Sequence, residues 1–355
     1  MHSVKQSKSA LKKPGQRPVQ RQRAQRRLAR MTNSVRAEST AAKMDKSKSL
    51  GHMGNFLSGR SAIVTGSTSG IGLGVATVLA AHGCNLTLNG FGDAKDIEQL
   101  QKDLSQKYNV KVRYSPADMT KPQEIRDMVA GAQKEFGSLD ILVNNAGIQH
   151  ISPVQDFPEE KWDQVMSINL DAVFHATKAA IPGMKAQGYG RIINIASVHG
   201  HVASVNKSAY IATKHAVVGF TKATALELAG TGVTSGMLSF LFFTFAHFLG
   251  ALVNSHNPHH TFFYPFFSYS CSPMIVAVCP GWVLTPLVEK QIDLRAKANN
   301  QSFAEAKISL LSEKQPSKEF VTPEDLGNTI AFLSSPFAGQ LTGTSIVLDG
   351  GWISQ

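Results

Sequence analysis

Short apolar runs alternate with longer segments of helical periodicity over most of the chain after residue 60. The first run, SAIVT at 61–65, is followed by a glycine-rich turn and a predicted helix over 71–81. Apolar strands separated by helices are typical of a parallel sheet covered on both faces, with right-handed crossovers. The pattern therefore predicts an α/β fold of Rossmann type, a doubly wound parallel sheet in a single domain. The predicted strands are 61–65, 85–89, 111–115, 140–144, 191–196, 276–279 and 345–348.

The net charge of +11 is concentrated in the first 52 residues. Residues 1–52 hold 14 of the 36 Lys and Arg but only 2 of the 25 Asp and Glu, so the domain that we assign to 53–355 is nearly neutral. A neutral body argues against nucleic-acid binding by the folded domain. The basic segment fits three interpretations: a flexible tail, a mitochondrial transit peptide or an RNA-binding arm. We accordingly expect a mitochondrial or cytoplasmic protein.

Residues 235–274 interrupt the α/β pattern and are interpreted as an insertion. No Asp, Glu, Lys or Arg occurs from residue 228 to residue 288, and 11 of the chain's 28 aromatic residues fall inside the insertion. The apolar stretch 237–253 is at the short limit for spanning a bilayer, which leaves membrane contact as an alternative. We prefer a segment foreign to the domain, because residues 232–234 and 276–280 look like the two sides of one interrupted loop-strand junction.

The three cysteines, Cys84, Cys271 and Cys279, form no CxxC pair. They are too few for a disulfide framework, which suits a reducing compartment, and no zinc site is recognisable. We therefore expect a protein without a bound metal.

Two glycine-containing segments predict a dinucleotide site. TGSTSGIG at 65–72 lies between the first predicted strand and helix, where glycines let the backbone approach a pyrophosphate and the helix N-terminus supplies N–H donors. NNAG at 144–147 follows the fourth predicted strand, where small residues let the backbone lie against a flat cofactor. An ordinary tight turn is the alternative for the first motif alone. The candidate residues are Thr65, Gly66, Ser69, Gly70, Ile71, Gly72, Asn145, Ala146 and Gly147.

The end of the second predicted strand bears on the choice of cofactor. It reads LNGFGD at 88–93, with no acidic residue directly at its tip and no arginine to hold a 2′-phosphate. On charge grounds the sequence favours NAD over NADP. Phe91 is a candidate cofactor contact. Asp118 is expected either to accept a hydrogen bond from the adenine amine or to belong to the start of the next helix.

Ser197, Tyr210 and Lys214 form the candidate catalytic group. Ser197 ends the fifth predicted strand, and the spacing of Tyr210 and Lys214 puts phenol and ammonium on one face of the next helix, about one turn apart. A nearby positive charge stabilises a phenolate, so we expect Lys214 to lower the pKa of Tyr210 from its ordinary value of about 10 and make it a general base. A surface Tyr–Lys pair is the alternative for the spacing alone.

These motifs resemble the short-chain dehydrogenases/reductases over about residues 57–234 and 275–355. The resemblance implies that Tyr210 is the catalytic acid/base, that Lys214 also binds the nicotinamide ribose and that Ser197 orients the substrate oxygen. It further implies a homotetramer. Three more residues match positions of that family: Asn169, which would anchor a proton-relay water, and Pro280 and Gly281, which would border the nicotinamide.

Further segments resemble the soluble group of this family that acts on D-3-hydroxybutyrate. They are GIQH at 147–150, SVHG at 197–200, NKSAY at 206–210, PGWVLT at 280–285, EKQ at 289–291 and GGW at 350–352. A short acid needs a cation together with neutral donors. The resemblance accordingly implies that Trp282 and Trp352 wall a small pocket beside Ser197 and Tyr210, and that the carboxylate is held by Gln149, His199, Lys207 and Gln291.

We therefore expect an NAD-dependent enzyme that interconverts D-3-hydroxybutyrate and acetoacetate by hydride transfer, with Tyr210 as general acid/base. The alternatives are a short-chain dehydrogenase that acts on another small hydroxy acid or alcohol, and a membrane-associated inactive relative. The two enzyme interpretations place a small-molecule site at the carboxyl ends of the strands.

Overall fold

A computed structural model of the protein describes residues 55–229 and 273–355. Within these ranges seven strands form one parallel sheet in the order β3-β2-β1-β4-β5-β6-β7. The strand order reverses between β1 and β4, which confirms the predicted doubly wound Rossmann-type fold. The strands are β1 (Ser61–Val64), β2 (Asn85–Asn89), β3 (Val112–Ser115), β4 (Ile141–Asn144), β5 (Arg191–Ile195), β6 (Met274–Pro280) and β7 (Ser345–Leu348).

Helices cover both faces of the sheet. In the described ranges they are α1 (Gly70–Ala81), α2 (Ala94–Tyr108), α3 (Pro122–Phe136), α4 (Glu159–Met166), α5 (Ala172–Ala186), α6 (Ser208–Leu228), α7 (Pro286–Ala298), α8 (Phe303–Ser312) and α9 (Pro323–Leu333). Neighbouring residues of β1 point to opposite faces: Val64 packs in a buried cluster with residues of α1 and α9, and Ile63 packs in another with residues of α3 and α5. Burial on both faces explains why the strand sequences are apolar throughout.

The observed strands differ from the predicted ones mainly at β6. It begins at Met274, two residues earlier than predicted, because Met274 continues the parallel pairing with Arg191 of β5. Met274 is also buried, so it belongs to the sheet although the sequence pattern assigned it to the insertion. The first helix begins one residue earlier than predicted, at Gly70.

Two sequence-based interpretations concern residues outside the described ranges. These are the basic segment 1–52 and the insertion 235–274, apart from its last two residues, so the transit-peptide, RNA-arm and membrane-contact interpretations stay predictions. α6 ends at Leu228, and β6 begins at Met274. The end of α6 lies near the amino end of β6, because Leu228 packs in one buried cluster with Ile275. Within residues 55–229 and 273–355, no helix has the length and apolarity needed to cross a bilayer.

Candidate active site

Ser197, Tyr210 and Lys214 meet beyond the carboxyl end of β5. Ser197 precedes a 3-10 turn at Val198–Gly200, and α6 then places Tyr210 and Lys214 in its first two turns. The Lys214 Nζ atom donates a 2.7 Å hydrogen bond to the carbonyl oxygen of Ile195 and lies 5.5 Å from the centre of the Tyr210 ring. The Ser197 side chain is hydrogen-bonded to Tyr210. The structure thus brings together the three side chains that the spacing predicted to be neighbours.

Burial dominates the acid–base properties of this group. It raises the pKa of Tyr210 above its ordinary value, against the opposing hydrogen bond from Ser197. It also lowers the pKa of Lys214 to about 8. The expectation that the pKa of Tyr210 lies below its ordinary value is therefore wrong, because loss of water around the phenolate outweighs the interactions that favour it.

Asn169 supports the loop that follows β4. It lies in a short π-helical segment, Ser167–Asp171, between α4 and α5. Its Oδ1 atom accepts from the Ile148 amide at 2.8 Å, and its Nδ2 atom donates to the Ile148 carbonyl at 2.9 Å and to Thr213 Oγ1 at 3.4 Å. Asn169 is buried and does not line the pocket described below, so a role in proton relay stays a prediction.

The turn after β1 and the loop after β4 form a cradle at the point where the strand order reverses. A Cβ atom added to Gly66, whose φ is +64°, would lie 3.1 Å from Ala146 Cα, and one added to Gly72 would lie 2.2 Å from the Gly66 carbonyl oxygen. The Thr65 hydroxyl accepts from the amides of Asn145 and Ala146, at 2.9 Å each, so its side chain holds the two segments together. The cradle therefore leaves room for backbone but not for side chains.

The first turn of α1 is suited to an anion. Ser69 precedes the helix without a capping side-chain hydrogen bond, and the first turn contains no acidic residue. Its backbone N–H groups have the arrangement that binds phosphate at helix N-termini. These residues fit the pyrophosphate of a nicotinamide dinucleotide.

The residues predicted at the adenosine end lie apart from the catalytic group. Phe91 is 75% exposed beyond β2. The Asn89 side chain is fully engaged, since Oδ1 accepts from the Gly66 amide and Nδ2 donates to the carbonyls of Ser115 and Ala117. Asp118 accepts two hydrogen bonds from Thr120, which hold its pKa below the ordinary value. Asp118 is thus ionised and ordered within the turn before α3, which fits both of its sequence-based interpretations.

One pocket contains the catalytic group and all of the residues predicted to bind substrate. Eight cofactor candidates are not among its lining residues: Thr65, Gly66, Ser69, Gly70, Gly72, Phe91, Asp118 and Ala146. The site residues predicted from the sequence that line it are Ile71, Asn145, Gly147, Gln149, Ser197, His199, Lys207, Tyr210, Lys214, Pro280, Gly281, Trp282, Gln291 and Trp352.

Lys207 adds a second ammonium group to this pocket, besides Lys214. Its side chain is half-buried, and burial lowers its pKa. Its Nζ atom lies 5.5 Å from the centre of the Trp282 ring, and no carboxylate of the described residues lies within ion-pair distance. The rings of Trp282 and Trp352 are 5.8 Å apart, with His199 5.5 Å from Trp352. A cation that is walled by aromatic rings and lacks a counter-ion fits a small anionic ligand.

Three residues that support the pocket were missed by the sequence analysis. Gln315 accepts from the Trp282 amide at 3.0 Å, and the Asp349 carboxylate accepts from the amides of Gly351 and Ile353 at 2.8 Å each, which orders the turn that carries Trp352. Ser204 contacts His199. Gln315 lies 33 positions from Trp282, and no spacing rule links residues that far apart. Among residues 55–229 and 273–355, no cluster of three or more His, Cys, Asp or Glu side chains has the arrangement of a metal site.

Sequence profiles of known families match nearly all of the described residues. The profile described as "short chain dehydrogenase" matches residues 60–239. The profile described as "Enoyl-(Acyl carrier protein) reductase" matches residues 274–353. The first match extends five residues into the segment interpreted as an insertion, and the second begins at its last residue.

Individual relatives cover the chain more fully. Two are named D-beta-hydroxybutyrate dehydrogenase. The protein of Cupriavidus necator is 48% identical over 301 residues, which cover 84% of this chain and 100% of its own. The protein of Rhizobium meliloti is 42% identical over 296 residues, which cover 83% of this chain and 99% of its own.

A solved structure shares the fold. The L-sorbose reductase of Gluconobacter frateurii, crystallised with NADPH and L-sorbose, superimposes with a TM-score of 0.70 at 27% identity. The superposition covers 85% of this chain and 99% of the reductase.

Proposed function

The chain belongs to the short-chain dehydrogenase family, and from that premise we propose that it interconverts D-3-hydroxybutyrate and acetoacetate with NAD. Membership in the family makes it an oxidoreductase with a nicotinamide cofactor and a small-molecule substrate. The names of the relatives from Cupriavidus necator and Rhizobium meliloti support the choice of substrate.

The observation that carries the substrate assignment is the Lys207 ammonium, which lies in the same pocket as Ser197 and Tyr210 and has no carboxylate partner among the described residues. Removing an ammonium from water without a counter-ion is unfavourable, and a ligand carboxylate removes that penalty. We assign Gln149, His199 and Gln291, which line the same pocket, as the neutral donors to that carboxylate. The aromatic wall formed by Trp282 and Trp352 favours a short carbon chain.

The protein side chains divide the chemistry among them. Tyr210 takes the proton of the substrate hydroxyl, and Ser197 donates a hydrogen bond to the same oxygen. A bound nicotinamide supplies the hydride acceptor for the carbon that carries the hydroxyl. Lys214, held by the Ile195 carbonyl, places positive charge beside the phenol and would hold the ribose of a bound nicotinamide cofactor. Positioning of substrate and base supplies much of the remaining acceleration.

The preference for NAD is supported by the end of β2. Asn89 stands at the strand end, and its carboxamide is already hydrogen-bonded to the glycine-rich turn. The next residues are Gly90, Phe91 and Gly92, which offer no cation to a 2′-phosphate. We assign the glycine cradle and Ser69 to the pyrophosphate, Phe91 and Asp118 to the adenosine, and Pro280 and Gly281 to the nicotinamide.

We also propose that the protein is a homotetramer, as the family resemblance implies. β7 is an edge strand, and the exposed Phe174, Leu226 and Phe337 are large apolar side chains on the protein surface. A second chain can cover an exposed sheet edge and exposed apolar side chains. Light scattering during gel filtration measures the oligomeric state directly, and a monomer at micromolar concentration would contradict the proposal.

A substrate panel tests the function. We expect D-3-hydroxybutyrate to be oxidised with a higher kcat/KM than its methyl ester, 2-butanol or lactate, because the ester and the alcohol lack a carboxylate and lactate carries its hydroxyl one carbon closer. A higher kcat/KM for a neutral alcohol or for lactate would show that the protein acts on a different substrate from the one proposed.

A further inference from the structure

Ser204 contacts His199, which is a residue of the pocket lining. It lies in the loop between the turn at Val198–Gly200 and α6, and its side chain is half-buried. Its Oγ atom is 3.0 Å from Nε2 of His199. His199 lines the pocket, whereas Ser204 does not. The hydroxyl therefore contacts the ring without being part of the pocket wall.

The His199 ring is confined by its neighbours. Its side chain is 4% exposed. The ring packs edge to face against Tyr210, with centroids 6.0 Å apart, and against Trp352, with centroids 5.5 Å apart. These two ring contacts restrict rotation of the imidazole. Because Nε2 contacts Ser204, Nδ1 is the ring nitrogen that is left for a ligand.

His199 is neutral at physiological pH. Burial, with a further contribution from the positive charge of Lys207, lowers its pKa to about 4. A neutral imidazole carries one N–H donor and one lone pair, and the hydrogen bond made by one nitrogen decides which atom carries the proton. Only the donor nitrogen can stabilise a carboxylate, because a lone pair repels it.

From this geometry we infer that Ser204 is a positioning residue for acid binding: its hydroxyl donates to Nε2 of His199 and so keeps the ring proton on Nδ1, where it serves the substrate carboxylate. Among the described residues Nδ1 has no other hydrogen-bond partner. The inference rests on the proposed function, since it assumes an acid in the pocket.

Kinetics separate this role from a general structural one. We expect Ser204→Ala to raise KM for D-3-hydroxybutyrate about tenfold, the size of one lost hydrogen bond to a charged group. KM for the neutral methyl ester of the same acid should change far less, because that ligand has no carboxylate. Ser204→Thr, which keeps the hydroxyl, should restore KM for the acid. An equal rise for acid and ester, or no rise for either, would overturn the inference.

The position of the ring proton can be measured without turnover. Nitrogen-15 NMR of histidine-labelled protein distinguishes the two tautomers, and the His199 signals are those that disappear in His199→Gln. We expect an Nδ1–H ring in the wild type and a change of tautomer in Ser204→Ala. An Nε2–H ring in the wild type would overturn the inference. If D-3-hydroxybutyrate is not a substrate, the proposed function fails, and this NMR result alone then decides whether Ser204 sets the tautomer.

Discussion

The Nζ atom of Lys214 lies 5.5 Å from the centre of the Tyr210 ring, on the same face of α6. The ammonium is fixed by a 2.7 Å hydrogen bond to the Ile195 carbonyl, so its position depends on the end of β5 as much as on the helix. Its charge is close to the phenol, yet burial raises the pKa of Tyr210. Ionisation of the Tyr210 phenol therefore depends on the cofactor and substrate that bind in the pocket.

The first prediction concerns Tyr210→Phe. The ring and its packing are kept, but the group that accepts the substrate proton is removed. We expect turnover to fall by about 10²- to 10⁴-fold, the usual contribution of general acid–base catalysis. The dissociation constant of NAD, measured by calorimetry, should stay within a few fold of the wild-type value. Near-full turnover of this variant would refute Tyr210 as the base.

The second prediction concerns Lys207→Met, which keeps the length of the apolar stem beside Trp282 and removes the charge. We expect KM for 3-hydroxybutyrate to rise about 10- to 100-fold, because the carboxylate loses its cation. Lys290→Met is the matched control, since Lys290 is exposed and does not line the pocket. Equal KM values for the two variants would show that Lys207 does not bind the acid.

The third prediction concerns stability and pH. The pKa of His199 falls from 6.5 to about 4 on folding. Between pH 6.5 and about pH 4, the imidazole is therefore protonated in the unfolded chain but neutral in the folded one. Stability from this site is present above pH 6.5 and is lost as the pH falls toward 4. When the pH is lowered across this range, the Tm of His199→Gln should fall by less than the Tm of the wild type. The exposed His215→Gln serves as the control, and parallel curves for wild type and His199→Gln would contradict the prediction.

The fourth prediction concerns the insertion, most of which lies outside the described residues. Forty mainly apolar and aromatic residues are a strong aggregation or membrane-binding risk when they are not packed. We expect deletion of 235–273 to raise the yield of soluble protein. Met274 must be kept because it pairs in β6. A deletion that leaves the yield unchanged would count against a segment foreign to the domain.

The sequence predicted the sheet well because each buried strand is a separate apolar run. β2 and β7 were predicted with their observed ends, and β6 was misjudged where the apolar insertion meets the strand. The doubly wound arrangement was predictable without a strand order, since the alternation of strands and helices with crossovers of one hand leaves few arrangements.

The candidate site was predictable where one short segment holds the chemistry, as in YxxxK. It was not predictable where function depends on contacts made across the fold. Gln315 behind Trp282 and Asp349 beneath Trp352 belong to this kind, because only folding brings the partners together. The direction of the Tyr210 pKa was misjudged for the same reason, since burial cannot be seen in the four-residue spacing.

The most direct test of the account is the initial rate of reduced-nicotinamide formation with D- and L-3-hydroxybutyrate, each combined with NAD and with NADP. We predict that D-3-hydroxybutyrate with NAD gives a kcat/KM at least about tenfold above every other combination. No turnover with either enantiomer, in a preparation that binds NAD by calorimetry, would contradict the assignment of this pocket.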